Sequence, residues 1–139
     1  MKKNGDINSD LKSMIADYME KGFLENIIDM FRHDSELYSL IGDLIQDKRI
    51  RVRIGITALM EQLGTLDSRN ITRASRNIIP LISHKNPVVR GDASNLLGII
   101  GDREAIPFLE KGLSDENPDV RLIAREAIDD ITKQSGTRS

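Results

Sequence analysis

The sequence predicts an all-α fold, a short solenoid of antiparallel helix pairs, and three observations support that prediction. Residues 81–90 and 112–121 match at a constant offset of 31 positions, a period typical of repeated helical hairpins. Within each copy, apolar residues recur every three or four positions, as they do on one face of an α-helix. No segment alternates between apolar and polar residues for long enough to indicate a β-sheet.

The composition favours a single globular domain. The chain has 139 residues, of which 39% are hydrophobic and 30% are charged, and a chain of this size can bury a substantial core. It contains no cysteine, which excludes disulfides, thiol nucleophiles and cysteine-ligated metals. No apolar run approaches the length of a membrane span, and the start lacks the apolar region of a signal peptide. We therefore expect a cytoplasmic protein that does not bind membranes.

The helices can be assigned in chain order. We expect helices near Leu11–Glu20 and Phe23–Arg32, which together cap the N-terminal end over about residues 10–33. Three helix pairs then follow, and in each pair two antiparallel helices are joined by a short turn. The pairs occupy residues 35–64 (helices 35–46 and 50–63), 67–101 (helices 67–83 and 87–100) and 103–132 (helices 103–113 and 117–132).

The ends of these helices carry specific signals. An Asn-Pro dipeptide, at 86–87 and again at 117–118, supplies an N-cap side chain followed by proline at the first helical position. Gly101 is expected to end the second helix of the middle pair, because glycine tolerates the left-handed conformation found there. Asp102 then caps the next helix, and Gly64 is expected to end the first pair in the same way.

Two segments fit the repeat less well. The middle pair contains six extra residues around Ser68–Arg73. They either lengthen its first helix, with a kink at Pro80, or form a separate turn. The tail, residues 133–139, has no apolar anchor, so we expect it to be frayed, like the first several residues.

The apolar positions of the repeat predict its core. In each second helix, the positions at offsets 0, 4, 7, 8 and 11 from a shared valine fall on one helical face. A solenoid repeat cannot bury such a face alone, so each pair depends on its neighbours. The residues expected in the core are Val89, Leu97, Ile100, Leu113, Val120 and Ile128.

The repeat resembles a known family. Residues 86–90 read Asn-Pro-Val-Val-Arg, and residues 97–109 read Leu-Gly-Ile-Ile-Gly-Asp-Arg-Glu-Ala-Ile-Pro-Phe-Leu. This string resembles the HEAT-like repeat of the phycobilisome-lyase type, strongly over 78–132 and fairly over 36–64. The resemblance implies a right-handed superhelix whose concave face binds other macromolecules. Some relatives attach bilins or act as alkylpurine DNA glycosylases, but they are considerably longer chains, so neither activity is carried over.

The chain shows no pattern that predicts catalysis. Its two histidines, His33 and His84, are far apart in sequence and have no zinc-ligand spacing. The glycines do not form a phosphate-binding loop, and Gly98 and Gly101 end a helix rather than follow a strand. The acids lie at helix starts or on expected solvent faces, where they suit the helix dipole. We therefore predict no enzymatic activity, no cofactor and no metal.

Charged residues recur at two positions of the repeat. An arginine stands early in each second helix, and the residue six positions before it is an acid in the first and last pairs and a histidine in the middle pair. Unless this histidine is protonated, it weakens the contact with arginine at that repeat. The resemblance implies that such residues form a ladder linking successive repeats, since a guanidinium can satisfy a carboxylate and backbone carbonyls together. The alternative is an anion site. The ladder residues are Asp47, Arg53, His84, Arg90, Asp115 and Arg121.

The second helix of each pair is expected to build the concave face. Offsets 2, 5, 6 and 9 from the shared valine should point into the groove, where small residues would let a partner approach the backbone. The residues expected to bind a partner are Ile54, Thr57, Glu61, Gly91, Ser94, Asn95, Leu122, Arg125 and Asp129, with Ala58, Gly98 and Glu126 on the same face.

The net charge of −2 hides a basic segment over residues 48–90, which carries nine bases and two acids. This basic band suggests an acidic protein partner, nucleic acid, or self-association with the acidic ends, although a solvated face is the alternative. No aromatic residue occurs between Tyr38 and Phe108 to stack on single-stranded bases. The band residues expected to act are Arg49, Arg51, Arg69, Arg73 and Arg76, the last three as one helical stripe.

These observations favour a non-catalytic scaffold that binds a protein partner on its concave face. The alternative is a nucleic-acid-associated protein that uses the basic band. A weaker alternative, which rests on the resemblance alone, is an accessory protein of a bilin-lyase-like or other cofactor enzyme.

Overall fold

A computed structural model describes residues 4–137, and over that range the chain contains α-helices, 3-10 turns and no strand. The all-α prediction is confirmed. The longer helices are α1 (Asn4–Glu20), α2 (Leu24–His33), α4 (Ile50–Leu66), α6 (Pro87–Ile100) and α8 (Pro118–Thr137). The short ones are α3 (Ile41–Leu44), α5 (Ser75–Ile78) and α7 (Ile106–Lys111), each next to 3-10 turns, which span Ser35–Leu40, Ile71–Ala74, Ile79–Ser83, Arg103–Ala105 and Gly112–Ser114.

The helices form two layers. The second helices of the three pairs, α4, α6 and α8, pack side by side in that order. The first helices, which contain α3, α5 and α7, lie behind them, and α1 and α2 pack on α4. Burial of Ile15 and Phe31, both 0% exposed, fixes α1 and α2 to the stack. Helix α1 begins at Asn4, seven residues earlier than the sequence predicts.

The predicted caps of the helices are largely confirmed. The Asn86 and Asn117 side chains accept hydrogen bonds from the backbone N–H groups two residues on, at 2.9 and 2.8 Å. Gly101 has a φ of 78° and ends α6, and Asp102 accepts from the Glu104 N–H at 3.0 Å. The helix boundaries around the third pair therefore follow from short-range hydrogen bonds.

The prediction for Gly64 is wrong. It lies inside α4, which continues to Leu66, and its φ is negative. A turn over residues 67–70 follows, in which Asn70 donates to Asp67 from both its backbone and its side chain, at 3.0 Å each. The extra residues of the middle pair thus form a separate turn. The hydroxyl of Tyr38 donates to the Asp67 carboxylate at 2.9 Å. Burial, together with this hydrogen bond, raises the pKa of Tyr38.

The tail prediction is wrong for the described residues. Helix α8 runs through Thr137, and the side chain of Gln134 donates to the carbonyl of Gly98 at 3.2 Å. Ile131, fully buried, anchors the same segment to the core. Residues 1–3 and 138–139, which the sequence also predicts to be frayed, lie outside the described range.

The predicted core residues are mostly buried. Val89, Leu97, Ile100 and Val120 are between 0 and 9% exposed. Ile128 is half-buried and packs against the core. These residues therefore join the second helices of neighbouring pairs.

Leu113 is the exception, because it is 39% exposed. Its counterparts in the two earlier pairs, Ile45 and Ile82, are only 1% and 9% exposed, and each of them is followed by a further helix pair. Leu113 belongs to the last of the described pairs, where no following pair covers it.

Candidate interaction surface

The turn inside each helix pair is held by one side chain at the same repeat position. Asp47 accepts a hydrogen bond from the backbone N–H two residues on at 2.9 Å, and Asp115 does the same at 2.9 Å. His84 replaces the acid in the middle pair, where its Nδ1 accepts from the Asn86 N–H at 3.0 Å. The acceptor role requires the ring tautomer in which Nδ1 carries no proton. All three turns therefore have the same local structure.

One rung of the predicted ladder joins the middle and last pairs. Arg90 donates to both carboxylate oxygens of Asp115, at 2.8 and 2.9 Å, and the two side chains are only 11% and 12% exposed. Another guanidinium nitrogen of Arg90 donates to the carbonyl of His84 at 3.0 Å. The fork from Arg90 lowers the pKa of Asp115. The guanidinium thus satisfies its own turn and the carboxylate of the next pair.

The rung between the first and middle pairs has a different partner. Arg53, the counterpart of Arg90, would meet position 84, where histidine offers no carboxylate. Instead its Nε lies 3.5 Å from an oxygen of Asp92 on α6, and this buried nitrogen has no hydrogen-bond acceptor among the described residues. Burial raises the pKa of Asp92, and Arg53 opposes that shift only in part. The histidine therefore leaves this rung incomplete.

At the N-terminal end, Arg49 replaces the missing arginine of an earlier pair. It donates to both oxygens of Asp47 at 3.0 Å and to Asp17 on α1 at 2.9 Å. The pKa of Asp47 is lowered mainly by the hydrogen bond from Arg49. Arg121 of the last pair donates to the carbonyl of Asp115 at 2.7 Å. Arg49 is therefore engaged within the chain, contrary to its expected role in the basic band.

The basic band is not one surface. Arg51 lies at the start of α4, whereas Arg69, Arg73 and Arg76 follow its end, and a 17-residue helix is about 25 Å long. Arg69 stands in the turn, so the predicted helical stripe of three arginines is also wrong.

Arg73 and Arg76 line a groove of about 660 Å³ formed by the 3-10 turns of the first helices. The same groove is lined by Glu36, Asp102 and Glu104, so its charge is mixed.

Part of the predicted concave face is packed inside the stack. Gly91, Ser94 and Gly98 on α6 are buried, because α6 lies between α4 and α8 and is covered on both sides. A Cβ on Gly98 would come within 3.0 Å of Ala127, and one on Gly91 within 3.1 Å of Ile123. The small residues therefore let α8 approach α6 closely, and the stack covers Ser94 and Gly98.

The rest of the predicted face remains at least partly accessible, on α4, on α8 and at Asn95 of α6. Ile54 is 62% exposed and Leu122 is 51% exposed. Thr57 and Ala58 are half-buried, and the Thr57 hydroxyl donates to the carbonyl of Arg53 at 3.1 Å. The remaining members of the predicted face are exposed: Glu61, Asn95, Arg125, Glu126 and Asp129.

Val88 on α6 is exposed by 51% and was missed by the sequence reasoning. The repeat itself gives the signal, because Arg51, Val88 and Asp119 occupy one position of the three second helices, as do Ile54, Gly91 and Leu122. We call the surface formed by these six residues the second-helix face. Beside Val88, a notch of about 230 Å³ lies between the starts of α6 and α8, lined by Pro87, Gly91, Asp119 and Ile123 among others.

The described residues contain neither a metal-binding cluster of side chains nor a membrane-spanning helix. In residues 7–134, where side chains are described, no group of three or more acidic or histidine side chains is arranged to hold a metal ion. None of the helices described is both long enough and apolar enough to cross a membrane.

Comparison with known proteins identifies a family. The family model described as HEAT repeats matches residues 39–129, which is more than half of the chain. The match is to HEAT repeats in general, so the phycobilisome-lyase subtype stays a prediction. No curated protein matches the chain.

Proposed function

The chain belongs to the HEAT-repeat family, and from that premise we propose that it is a non-catalytic module that binds a protein partner through the second-helix face. HEAT repeats generally mediate protein–protein interaction or scaffolding. The family is also typically non-catalytic. The six residues of the second-helix face would lie on the predicted concave surface of the superhelix.

The observation that carries this proposal is the exposure of large apolar side chains on all three second helices. Ile54, Val88 and Leu122 are between 51% and 62% exposed. Single exposed apolar residues are common on protein surfaces. Their recurrence at neighbouring repeat positions is different, because it spreads the apolar side chains over a stack of packed helices, as in an interface with a partner.

The contacts that hold the turns and join neighbouring pairs support the same role. Asp47, His84 and Asp115 hold the turns at one edge of the stack, and the fork between Arg90 and Asp115 joins two pairs. A surface whose backbone is fixed in this way loses less conformational entropy when a partner binds.

Nucleic acid is the second candidate, and its support is weaker than the sequence suggests. Arg49 is paired with Asp17 and Asp47. The other four arginines expected to act in the basic band lie either at the start of α4 or after its end. Arg73 and Arg76, which have no ion pair in the described chain, share their groove with three acids. The role of accessory protein to a bilin-lyase-like enzyme rests on the resemblance alone.

The proposal can be tested by affinity capture from source lysate at low and high salt, with and without nuclease. The tested variant is Ile54→Asp with Leu122→Asp, which should lose the captured protein. The matched control is Leu66→Asp, at an apolar residue 44% exposed at the end of α4, outside the face. The proposal fails if the double variant captures the same protein as the parent, or if capture requires nucleic acid.

A further inference from the structure

The second-helix face changes its charge from one side to the other. At one repeat position α4 carries Arg51, α6 carries Val88 and α8 carries Asp119. Neither Arg51 nor Asp119 has an ion-pair partner within residues 7–134, where side chains are described. The exposed turn residues three positions earlier follow a similar order, from base to acid: Lys48, Lys85 and Glu116.

The next turn of the helices carries apolar residues at both sides. Ile54 on α4 and Leu122 on α8 are exposed, and Gly91 lies between them at the bottom of the notch. The face therefore has a basic and apolar side on α4, a recessed centre on α6, and an acidic and apolar side on α8.

The two charged sides are too far apart to neutralise each other within one chain. Packed helices are about 8–10 Å apart, so α4 and α8 are separated by roughly 20 Å across α6. Dissolved salt at physiological concentration largely screens the interaction between two exposed charges that are more than about 8 Å apart. Arg51 and Asp119 therefore need partners from outside the chain if they are to form ion pairs.

We propose that the second-helix face binds a second copy of this chain, in a dimer whose two-fold axis runs parallel to α6. Such an axis lays α4 of each copy on α8 of the other and keeps the repeat positions in register. Arg51 then meets Asp119 of the second copy, and Ile54 meets Leu122 of the second copy beside the notch. Val88 meets its own counterpart on the axis.

The charges select this arrangement over the other two-fold one. An axis perpendicular to α6 within the face would place Arg51 against Arg51 and Asp119 against Asp119. Like charges opposed across an interface are unfavourable. The inference rests on the proposed function, because it names the partner of the same surface.

The experiment is sedimentation of the full chain from about 1 to about 500 µM, a range that covers weak and moderate association. We expect a limiting mass of two chains, with dissociation increasing as salt rises. Arg51→Asp and Asp119→Arg should each raise the dissociation constant by about a hundredfold or more, because each opposes like charges. An equimolar mixture of the two variants should form a dimer again, since one ion pair then keeps its original sign and the other is restored with reversed sign. The matched control is Arg69→Asp, an exposed arginine beyond the end of α4, which should leave dimerisation unchanged.

Three results would overturn the inference: a parent that stays monomeric over the whole range, a mixture that does not associate, or a mass that grows beyond two chains. Far-ultraviolet circular dichroism and thermal melting of each variant separate lost association from misfolding. If the parent is monomeric but the Ile54→Asp, Leu122→Asp variant loses a captured protein, the proposed function stands and only the second copy is excluded.

Discussion

At the scale of single residues, the side chain in each intra-pair turn decides how the pairs are joined. Asp115 caps its turn and also receives the fork from Arg90, whereas His84 can cap its turn but cannot receive Arg53. The two roles are chemically different. Capping needs one acceptor atom, but the rung needs a negatively charged group with two oxygens.

The first prediction concerns Asp115, whose pKa is lowered in the folded protein by Arg90. A carboxyl with a lowered folded pKa stabilises the protein above its unfolded pKa of about 3.9, and this contribution is lost as the pH falls through the folded pKa. Asp115→Asn keeps an acceptor for the turn but removes the charge. We expect its unfolding midpoint in urea to be lower at pH 7 and to fall less below about pH 4 than that of the parent.

The control for this prediction is Asp130→Asn, at an exposed acid with no ion pair in the described chain. Its midpoint should follow the parent at every pH. If Asp115→Asn and Asp130→Asn give the same curve, the fork does not contribute to acid stability.

The second prediction concerns a substitution that would give Arg53 the carboxylate acceptor that it lacks at position 84. His84→Asp supplies a carboxylate that can accept from the Asn86 N–H and from Arg53, whose buried Nε now lacks an acceptor. We expect the free energy of unfolding at pH 7 to rise by roughly 1 kcal/mol. His84→Asn is the matched control, because it keeps the turn acceptor without the charge. Equal stability of the two variants in urea denaturation would show that Arg53 does not use the new group.

At the scale of helices, α6 and α8 approach each other through small residues. Gly98 faces the backbone and side chain of Ala127, and Gly112 faces the side chain of Ala124. Helix α8 is also held by the side chain of Gln134, which donates a hydrogen bond to the carbonyl of Gly98 near the C-terminal end of α6. The packing of α8 therefore depends on the absence of side chains on its neighbours.

The third prediction compares two glycines inside helices. Gly98→Ala places a Cβ 3.0 Å from Ala127, so α6 and α8 must separate, and we expect a loss of about 1–3 kcal/mol. Gly64→Ala in α4 meets nothing closer than 3.8 Å and should gain up to about 1 kcal/mol from helix propensity. Thermal unfolding of both variants tests the difference. A gain at both positions would contradict the close packing of α6 on α8.

At the scale of the whole molecule, the described residues form a stack of three pairs, and each second helix buries its apolar face against a neighbour. The middle pair is therefore needed by both ends. Ser94, 1% exposed, shows the consequence for α6: the sequence predicts that it faces a partner, and the structure places it inside the stack. Its hydroxyl donates to the carbonyl of Arg90 at 2.9 Å.

The fourth prediction tests this dependence. Leu97→Ala in the middle pair removes a fully buried side chain and should cost roughly 2–5 kcal/mol. The two tyrosines, Tyr18 on α1 and Tyr38 in the first pair, supply a fluorescence signal from the N-terminal part of a chain without tryptophan. We expect the tyrosine and circular-dichroism midpoints to fall together. The control, Glu61→Ala at an exposed position, should change stability by less than about 0.5 kcal/mol. A tyrosine midpoint that does not move would mean that the first pair unfolds independently.

The sequence by itself determined the repeats, the Asn-Pro helix starts and the Gly101 end. These features depend on local periodicity and on hydrogen bonds within a repeat or between neighbouring ones, so each is encoded in short and recurring stretches. The all-α fold follows from the same periodicity.

Only the tertiary structure decided which surfaces are free. Gly91 and Gly98 are buried because α8 packs on them, and Arg49 is paired because α1 brings Asp17 to it from 32 positions earlier. The tail is helical because Gln134 reaches Gly98, 36 positions away. Exposure is a property of a residue's neighbours in space, and for a middle helix those neighbours come from two other repeats.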